Sequence, residues 1–458
     1  MRLWAVSFVS AAALSYEVLL TRLLAIVQWH HFAYMVISLA LLGYGASGSF
    51  LAAMRPKLAA RPAGAFALNA MAFAVAAVIG FEITQRLPFN AAALFWQPRQ
   101  LVWLACLYLP FAVPFFFAAN AIGLALAHFE EGVGRIYRQD LIGAGAGALA
   151  VIGVLFLLPA KATLIAVAVL ALLGAVVVGG DAGGGNRPLY RRRGLAALVA
   201  LALLPFGFTG LQISEYKGLP QALRVPGVRV IDERSGPLGL VTVLESESVP
   251  FRHVPGLGLR ADGEPASQRA LFTDGDGIDA ITRFDGRLAP LAYLDHVTQA
   301  LPYHLLARPR VLVLGAGGGE EVLRALYHRA RRVEAVEANP DVVRLIREDH
   351  GDFAGGLYQR PEVVVRVAEA RGFIAATDQR YDLVQLPLSG ASGGGGARAL
   401  GESYLYTVEA FAHYLDRLAP GGWLAVSRSL RLPPRDSLKL VATARAALAH
   451  AGIDDAWP

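Results

Sequence analysis

The sequence predicts a polytopic α-helical membrane region, then a small antiparallel β region, then a doubly wound α/β domain. Three observations carry that expectation. Residues 1–211 hold seven apolar stretches separated by short charged loops, and roughly 17–25 apolar residues suffice to cross a bilayer. Residues 212–290 change to a polar connector and short strand-like runs bounded by turn residues. From residue 291 onward, apolar runs alternate with helical stretches, the pattern of a parallel sheet covered on both faces.

Composition agrees with the division. The chain is 55% hydrophobic and 17% charged, with a mean hydropathy of +0.46, too apolar for a single soluble globule. Residues 1–211 carry 14 Lys/Arg against 6 Asp/Glu, and the remainder 28 against 30. The basic pI near 9.4 therefore belongs to membrane-flanking loops, and no nucleic-acid partner is expected. The single cysteine, Cys106, excludes an intrachain disulfide and a cysteine-rich metal site. The first apolar stretch lacks a small-residue cleavage site and is followed by others like it, so it is read as a membrane helix and not a signal peptide.

The crossings are expected at about 3–27, 32–54, 64–85, 100–127, 140–159, 163–180 and 194–211. Arg55, Lys57 and Arg61, then Arg135 and Arg138, then Arg187 and Arg191 to Arg193 fall on alternate loops. The positive-inside rule puts those loops and the N-terminus in the cytoplasm. Seven crossings would leave the second half outside, but the last stretch is short and broken by Pro205 and Gly207. A multi-pass cell-membrane protein with six to eight helices and a cytoplasmic C-terminal domain is the expectation. Within the helices, Glu17 and Arg22 are read as an internal pair that fixes packing. Trp29, His30 and His31 are read as interfacial, and Pro110 and Pro114 as kinks. Gly43, Gly45 and Gly48, and later Gly143, Gly145 and Gly147, are read as small-residue packing faces.

Residues 225–285 read as a small antiparallel β region, with DGDG at 274–277 as a turn. DGDGID lacks the spaced ligands and terminal Glu of a calcium loop, so no metal site is expected. A helix over YLDHVTQALPYHLL leads into the α/β region. There, 310–340 reads as strand 311–314, glycine turn 315–319, helix 320–330 and a strand ending on Glu337. A turn without side chains lets backbone approach a ligand, and an acid about 20 residues after the first glycine is where doubly wound folds hold ribose hydroxyls. The strands' C-terminal ends thus nominate Gly315, Gly317, Gly319, Glu337, Glu369 and Ala370 as a nucleoside site, with Glu337 on the ribose. Glu369 and Ala370 would flank the adenine, or Glu369 would satisfy a helix N-terminus. The loop at 389–397, SGASGGGGA, lies over the expected site as a lid or a solvated linker. Five strands are expected, and a closing hairpin beyond AGIDDAWP is missing, as in a C-terminally incomplete domain.

The runs VLVLGAGGGEEVLR, VEAVEANPDVV, VAEARGF, YDLVQLP and LAPGGWLAV resemble a Rossmann-like, class I methyltransferase-type fold, and in particular the spermidine synthase (polyamine aminopropyltransferase) family. GLVTV, ALFTDGDGIDAI and YLDHVTQALPYHLL are similar to that family's N-terminal β region and the helix after it. AAALSYEVLLTRLLAIV and IYRQDLIGAGAGALA resemble helices of its membrane-bound members. The resemblance implies domains at 1–211, 212–290 and 291–458. It implies S-adenosylmethionine or decarboxylated S-adenosylmethionine as cofactor, with Gly315, Gly317 and Gly319 wrapping its methionine-like tail. It also implies aminopropyl or methyl transfer to a small-molecule acceptor, an amine or an amphiphile reached from the bilayer. Two departures stand against a complete aminopropyltransferase. Soluble members carry an Asp in the glycine turn, where this chain has glycine or glutamate. They also carry catalytic acids after the fourth strand, where QLPLSG places Pro387 and Gly390. No catalytic residue is assigned; Asp295, Gln385 and Ser389 are the polar residues to examine first. The alternative reading is a catalytically degenerate, ligand-binding membrane sensor or transporter.

Overall fold

A computed structural model describes residues 3–28, 32, 35–59, 62–90, 93–128, 132–178, 187–261, 263–387, 404–428 and 432–453. The 389–397 loop, Ser389, and residues 29–31 lie outside them. The chain forms two compact units, Met1–Tyr216 with Ser235–Pro237, and Lys217–Arg234 with Leu238–Pro458. Most of the small β region falls in the same compact unit as the α/β domain.

The first unit is built from α1 (Trp4–Val27), α2 (Val36–Ala59), α3 (Pro62–Thr84), α4 (Arg99–His128), α5 (Val133–Leu155), α6 (Ala160–Val177) and α7 (Arg187–Leu203). Among the described residues, α1 to α6 are each long and apolar enough to cross a membrane, at least over most of their length. Close backbone approaches show how they run. A Cβ at Gly143 would lie 2.6 Å from Ser7 Cα, and one at Gly147 2.6 Å from Ala11 Cα, so α1 and α5 are parallel. Gly174 instead meets Ala5 and Val9, which makes α6 antiparallel to α1. Gly43 packs equally tightly on Ala112 and Phe115, whereas Gly45, Gly48 and Gly145 face open space. Half of the expected small-residue faces thus serve packing inside this unit. Pro110 and Pro114 do lie within α4.

The chain's exit from this unit bears on its sidedness. After α7 a 3-10 turn, Leu204–Phe208, brings Gly207 onto Ile165 and Ala162 near the start of α6. The Ser214 amide then donates to the Val27 carbonyl (2.9 Å) at the end of α1, and the Gln212 amide to Gln85 Oε1 (2.8 Å) just beyond α3. Lys161, paired with Glu82 at 2.6 Å with both side chains buried, reaches the Gly210 carbonyl. The exit therefore lies at the end of the bundle opposite residues 55–59, 135–138 and 187–193. A cytoplasmic exit, as expected from sequence, needs an even number of crossings; α7 and its turn run the length of α6 and return the chain to the other end.

In the second unit the helix α8 (Gly218–Ala222) precedes an antiparallel sheet of β1 (Val228–Gly236), β2 (Gly239–Ser246), β3 (Gln268–Thr273) and β4 (Asp276–Thr282), in that order. Thr273 pairs with Asp276 across Asp274 and Gly275, whose φ values are 55° and 71°. That is a two-residue hairpin of the type that demands Asp-Gly or Asn-Gly. The segment read as a helix from 291 is instead two 3-10 turns, Ala289–His296 and Thr298–Ala300, and the short α9 (Leu301–Leu305). Val297 is extended between the two turns, and Pro302 sits in the first turn of α9.

The parallel sheet contains β5 (Arg310–Leu314), β6 (Arg332–Glu337), β7 (Val363–Val367), β8 (Tyr381–Leu386) and β9 (Leu418–Val426) in the order β7-β6-β5-β8-β9. Between them run α10 (Glu320–Tyr327), α11 (Pro340–Arg344), α12 (Ala370–Ala376) and α13 (Val408–Asp416), and α14 (Arg435–His450) follows β9. All five expected strands are present. Strand order reverses between β5 and β8, the switch point where an open α/β sheet leaves its crevice. Val241, Val243, Leu271 and Ile281 of the antiparallel sheet share one core with Val311, Val313, Val322 and Val333. Leu312, Leu314, Val384, Phe411 and Tyr414 form the core on the other face.

Candidate functional site

The turn after β5 sits at that switch point. Gly315, Gly317 and Gly319 have φ of 97°, 50° and 90°, a region that side chains rarely enter. The Gly315 and Ala316 amides both donate to the Val336 carbonyl, at 2.8 and 3.0 Å, which folds the turn back over β6. The glycines serve different ends. A Cβ at Gly317 would fall 1.9 Å from Asp279 Oδ2, and one at Gly318 2.1 Å from the Ala280 carbonyl oxygen. Those two are accounted for by the β3–β4 hairpin packed against the turn. A Cβ at Gly315 would meet nothing within 4 Å, so Gly315 is where the turn faces free space.

Glu337 ends β6 with its side chain buried. Its Oε2 accepts the Gly317 amide (3.1 Å) and its Oε1 the Asn339 amide (2.9 Å). A carboxylate has about four acceptor sites, so the two amides fix its orientation and leave capacity for two hydroxyls. Sequence reasoning missed Asp279, on β4. Its Oδ2 accepts the Gly318 amide and its Oδ1 the Ala280 amide, both at 2.8 Å. An acid inside the apolar run Ile278 to Ile281 was a legible signal, because a buried charge requires partners. Tyr358 completes the brace by donating to the Gly317 carbonyl (3.1 Å).

The electrostatics around the turn are acidic. Glu320 and Glu321 open α10 and pair with the buried Arg324, Glu320 at 2.7 Å. Burial pushes Asp279 up to about 6, against the two amides that favour its charged form, with Glu337 and Glu321 adding to the rise. Burial likewise pushes Glu320 up to about 7, opposed by Arg324. An acid whose folded pKa lies above its unfolded value binds its proton more tightly when folded. The stability associated with Asp279 is therefore complete below pH ~4 and lost as pH rises to ~6, by at most about 3 kcal/mol. In Asp279→Asn that dependence should vanish. The wild-type-minus-variant stability difference, followed by thermal unfolding from pH 4 to 8, should fall between 4 and 6 and then level. A flat difference would reject the shift.

The remaining sequence-nominated residues divide. Glu369 accepts the Arg371 and Gly372 amides at 2.9 and 2.6 Å and caps α12, and Ala370 is buried behind it. The helix-terminus role is thus the one the geometry displays. Gln385 is buried in β8 and accepts from the Tyr303 hydroxyl (2.8 Å). Asp295 pairs with His304 (3.0 Å) and His328 (3.6 Å). His328 follows the far end of α10, whose eight residues span ~12 Å, so Asp295 stands a helix length from the turn. No group of three or more His, Cys, Asp or Glu suited to a metal occurs among the described residues.

A doubly wound parallel sheet with a glycine turn and a carboxylate at its switch point defines a Rossmann-like unit. No protein-family model matches the chain. The chain is 28% identical over 225 residues to a polyamine aminopropyltransferase of Korarchaeum cryptofilum, covering 46% of this chain and 64% of the relative. It is 26% identical over 200 residues to polyamine aminopropyltransferase 2 of Pseudomonas aeruginosa, covering 41% and 54%. A Streptomyces coelicolor polyamine aminopropyltransferase 2 is 30% identical over 223 residues, covering 46% and 39%. The chain is thus similar to polyamine aminopropyltransferases over part of its length, and it spans less than two thirds of each of these relatives. Among solved structures, a spermidine synthase in complex with the transition state analogue AdoDATO aligns at TM-score 0.31 and 18% identity, over 48% of this chain and 63% of that one. The spermidine synthase from Thermotoga maritima aligns at TM-score 0.32 and 16% identity, over 49% and 63%.

Proposed function

We propose that the second unit is an aminopropyltransferase-like enzyme that binds decarboxylated S-adenosylmethionine, anchored by the first unit in a lipid bilayer. The observation that carries this reading is the Glu337 carboxylate, oriented by two amides beside the free face of Gly315. Glu337 would hold the ribose hydroxyls, and the space at Gly315 would admit the methionine-like tail. Asp279, Glu320, Glu321 and Glu337 outnumber Arg324 around the turn, a field that favours a sulfonium cation over a neutral thioether. In the reaction an acceptor amine attacks the propyl carbon next to sulfur, forming a C–N bond. The C–S bond breaks, its electron pair neutralises the sulfonium, methylthioadenosine leaves, and the amine's proton passes to a base. The acceptor is an amine, or an amphiphile bearing one, that the anchored unit would meet at the bilayer.

The full chain in detergent, given labelled decarboxylated S-adenosylmethionine and a panel of diamines and amphiphilic amines, should release methylthioadenosine. Release of S-adenosylhomocysteine from S-adenosylmethionine instead would identify a methyltransferase. Cofactor binding with neither product would reject both transfers.

A second reading, a ligand-binding sensor, is favoured by the exit of the chain at Ser214 beside Val27. With the arginine-rich loops inside, that exit lies outside the cell, where adenosine cofactors are scarce. C-terminal fusions of the full chain to alkaline phosphatase and to green fluorescent protein separate the two. The enzyme reading expects fluorescence, which needs a cytoplasmic terminus. Phosphatase activity without fluorescence would rule out an enzyme fed by the cytoplasmic cofactor.

A further inference from the structure

A doubly wound sheet is buried on both faces, so its strands should be apolar throughout. One face here is not. Residues two apart along a strand share a face, and the registers Arg310↔Arg332, Leu312↔Glu334, Glu334↔Val364 and Val336↔Arg366 put Arg310, Arg332, Glu334 and Arg366 on the same side. On that side Phe411 and Tyr414 of α13 join the core, while α12 has only seven residues, about 10 Å of cover. The end of the face left uncovered forms a cavity of about 620 Å³ lined by Arg310, Arg331, Arg332, Glu334, Arg366 and Gln379.

Two carboxylates answer four guanidinium groups there. Glu334 accepts from Arg366 Nε (3.1 Å) and from the Tyr381 hydroxyl (2.9 Å), with Arg310 at 3.8 Å. Asp382 takes Arg331 at 3.0 Å and the Arg310 amide at 2.7 Å. Arg332 has no acidic partner among the described residues, and the buried Nε of Arg310 has no acceptor. Arg366 bonds through Nε, which leaves both Nη groups on a side chain 55% exposed. Spare forked donors on a net positive concave surface match the geometry of phosphate oxygens.

We propose that this cavity binds a polyvalent phosphate-bearing anion, at a site apart from the glycine turn and independent of the cofactor reading. The anion could come from free polyphosphate or nucleotide, or from an anionic lipid headgroup; the chemistry recognised is the same. The test uses the full chain in nanodiscs of neutral lipid, titrated calorimetrically with tripolyphosphate at low ionic strength, with chloride of matched ionic strength as the control. Saturable binding is expected, weakened at least tenfold in the Arg332→Gln/Arg366→Gln variant. In nanodiscs containing phosphatidylglycerol, a lipid source is expected to weaken tripolyphosphate binding to the wild type by competition, and a soluble source to leave it unchanged. Absence of saturable binding in neutral nanodiscs, or equal binding by a double variant that melts like the wild type, would overturn the proposal and leave an ion-pair network only.

Discussion

Glu337→Ala is expected to weaken binding of the nucleoside cofactor about a hundredfold. Hydrogen bonds to a charged group contribute about 1.5–3 kcal/mol each, so losing two ribose contacts costs about 3 kcal/mol, or two decades in Kd. Alanine also removes the acceptor of the Gly317 and Asn339 amides, so melting temperature should fall as well. Glu337→Gln separates the effects, because its amide oxygen retains one acceptor and its NH2 group cannot accept from a hydroxyl. Equilibrium dialysis against labelled methylthioadenosine, alongside thermal unfolding, reads both variants. A Glu337→Gln protein that melts and binds like the wild type would remove Glu337 from the ribose.

Gly318→Ala is expected to be the most damaging change in the turn, and Gly315→Ala a selective one. The new Cβ at 318 meets the Ala280 backbone at 2.1 Å, and backbone cannot rotate away. Overpacking costs about 3 kcal/mol in such cases, here by driving the β3–β4 hairpin off the sheet. At 315 the space is open and the cost is left-handed strain, roughly 1–2 kcal/mol. Gly315→Ala should therefore fold, while its methyl group occupies the approach to the cofactor and weakens dialysis binding at least tenfold. Equal melting temperatures for the two variants would refute the division of labour among these glycines.

That division was only half legible beforehand. Spacing alone nominated the turn and Glu337, because strand, glycine cluster, helix and acid recur at fixed intervals. Nothing local revealed that Gly317 and Gly318 yield to a hairpin some 40 residues earlier, since that contact exists only once β4 packs on the turn. Glu369 was ambiguous for a related reason: an acid ahead of a helix suits a ligand or a cap, and only the 2.6 Å contact to Gly372 displays the cap. The helix read over YLDHVTQALPYHLL is instead 3-10 turns and a short helix, with Val297 extended between the turns and Pro302 at the start of α9.

By itself the sequence determined the class of each part: apolar length made the helices of the first unit, and alternation of short apolar runs with helical stretches made the parallel sheet. It also determined the chemistry offered by the turn after β5. Tertiary structure alone decided which charges meet. Asp279 reaches the turn from another sheet, Asp295 is drawn to His304 and His328, and Arg310, Arg332 and Arg366 converge across three strands. It also decided at which end of the bundle the chain leaves. The physical reason is common to all four: burial and pairing energies depend on neighbours distant in the chain, and a spacing rule registers only neighbours that are near.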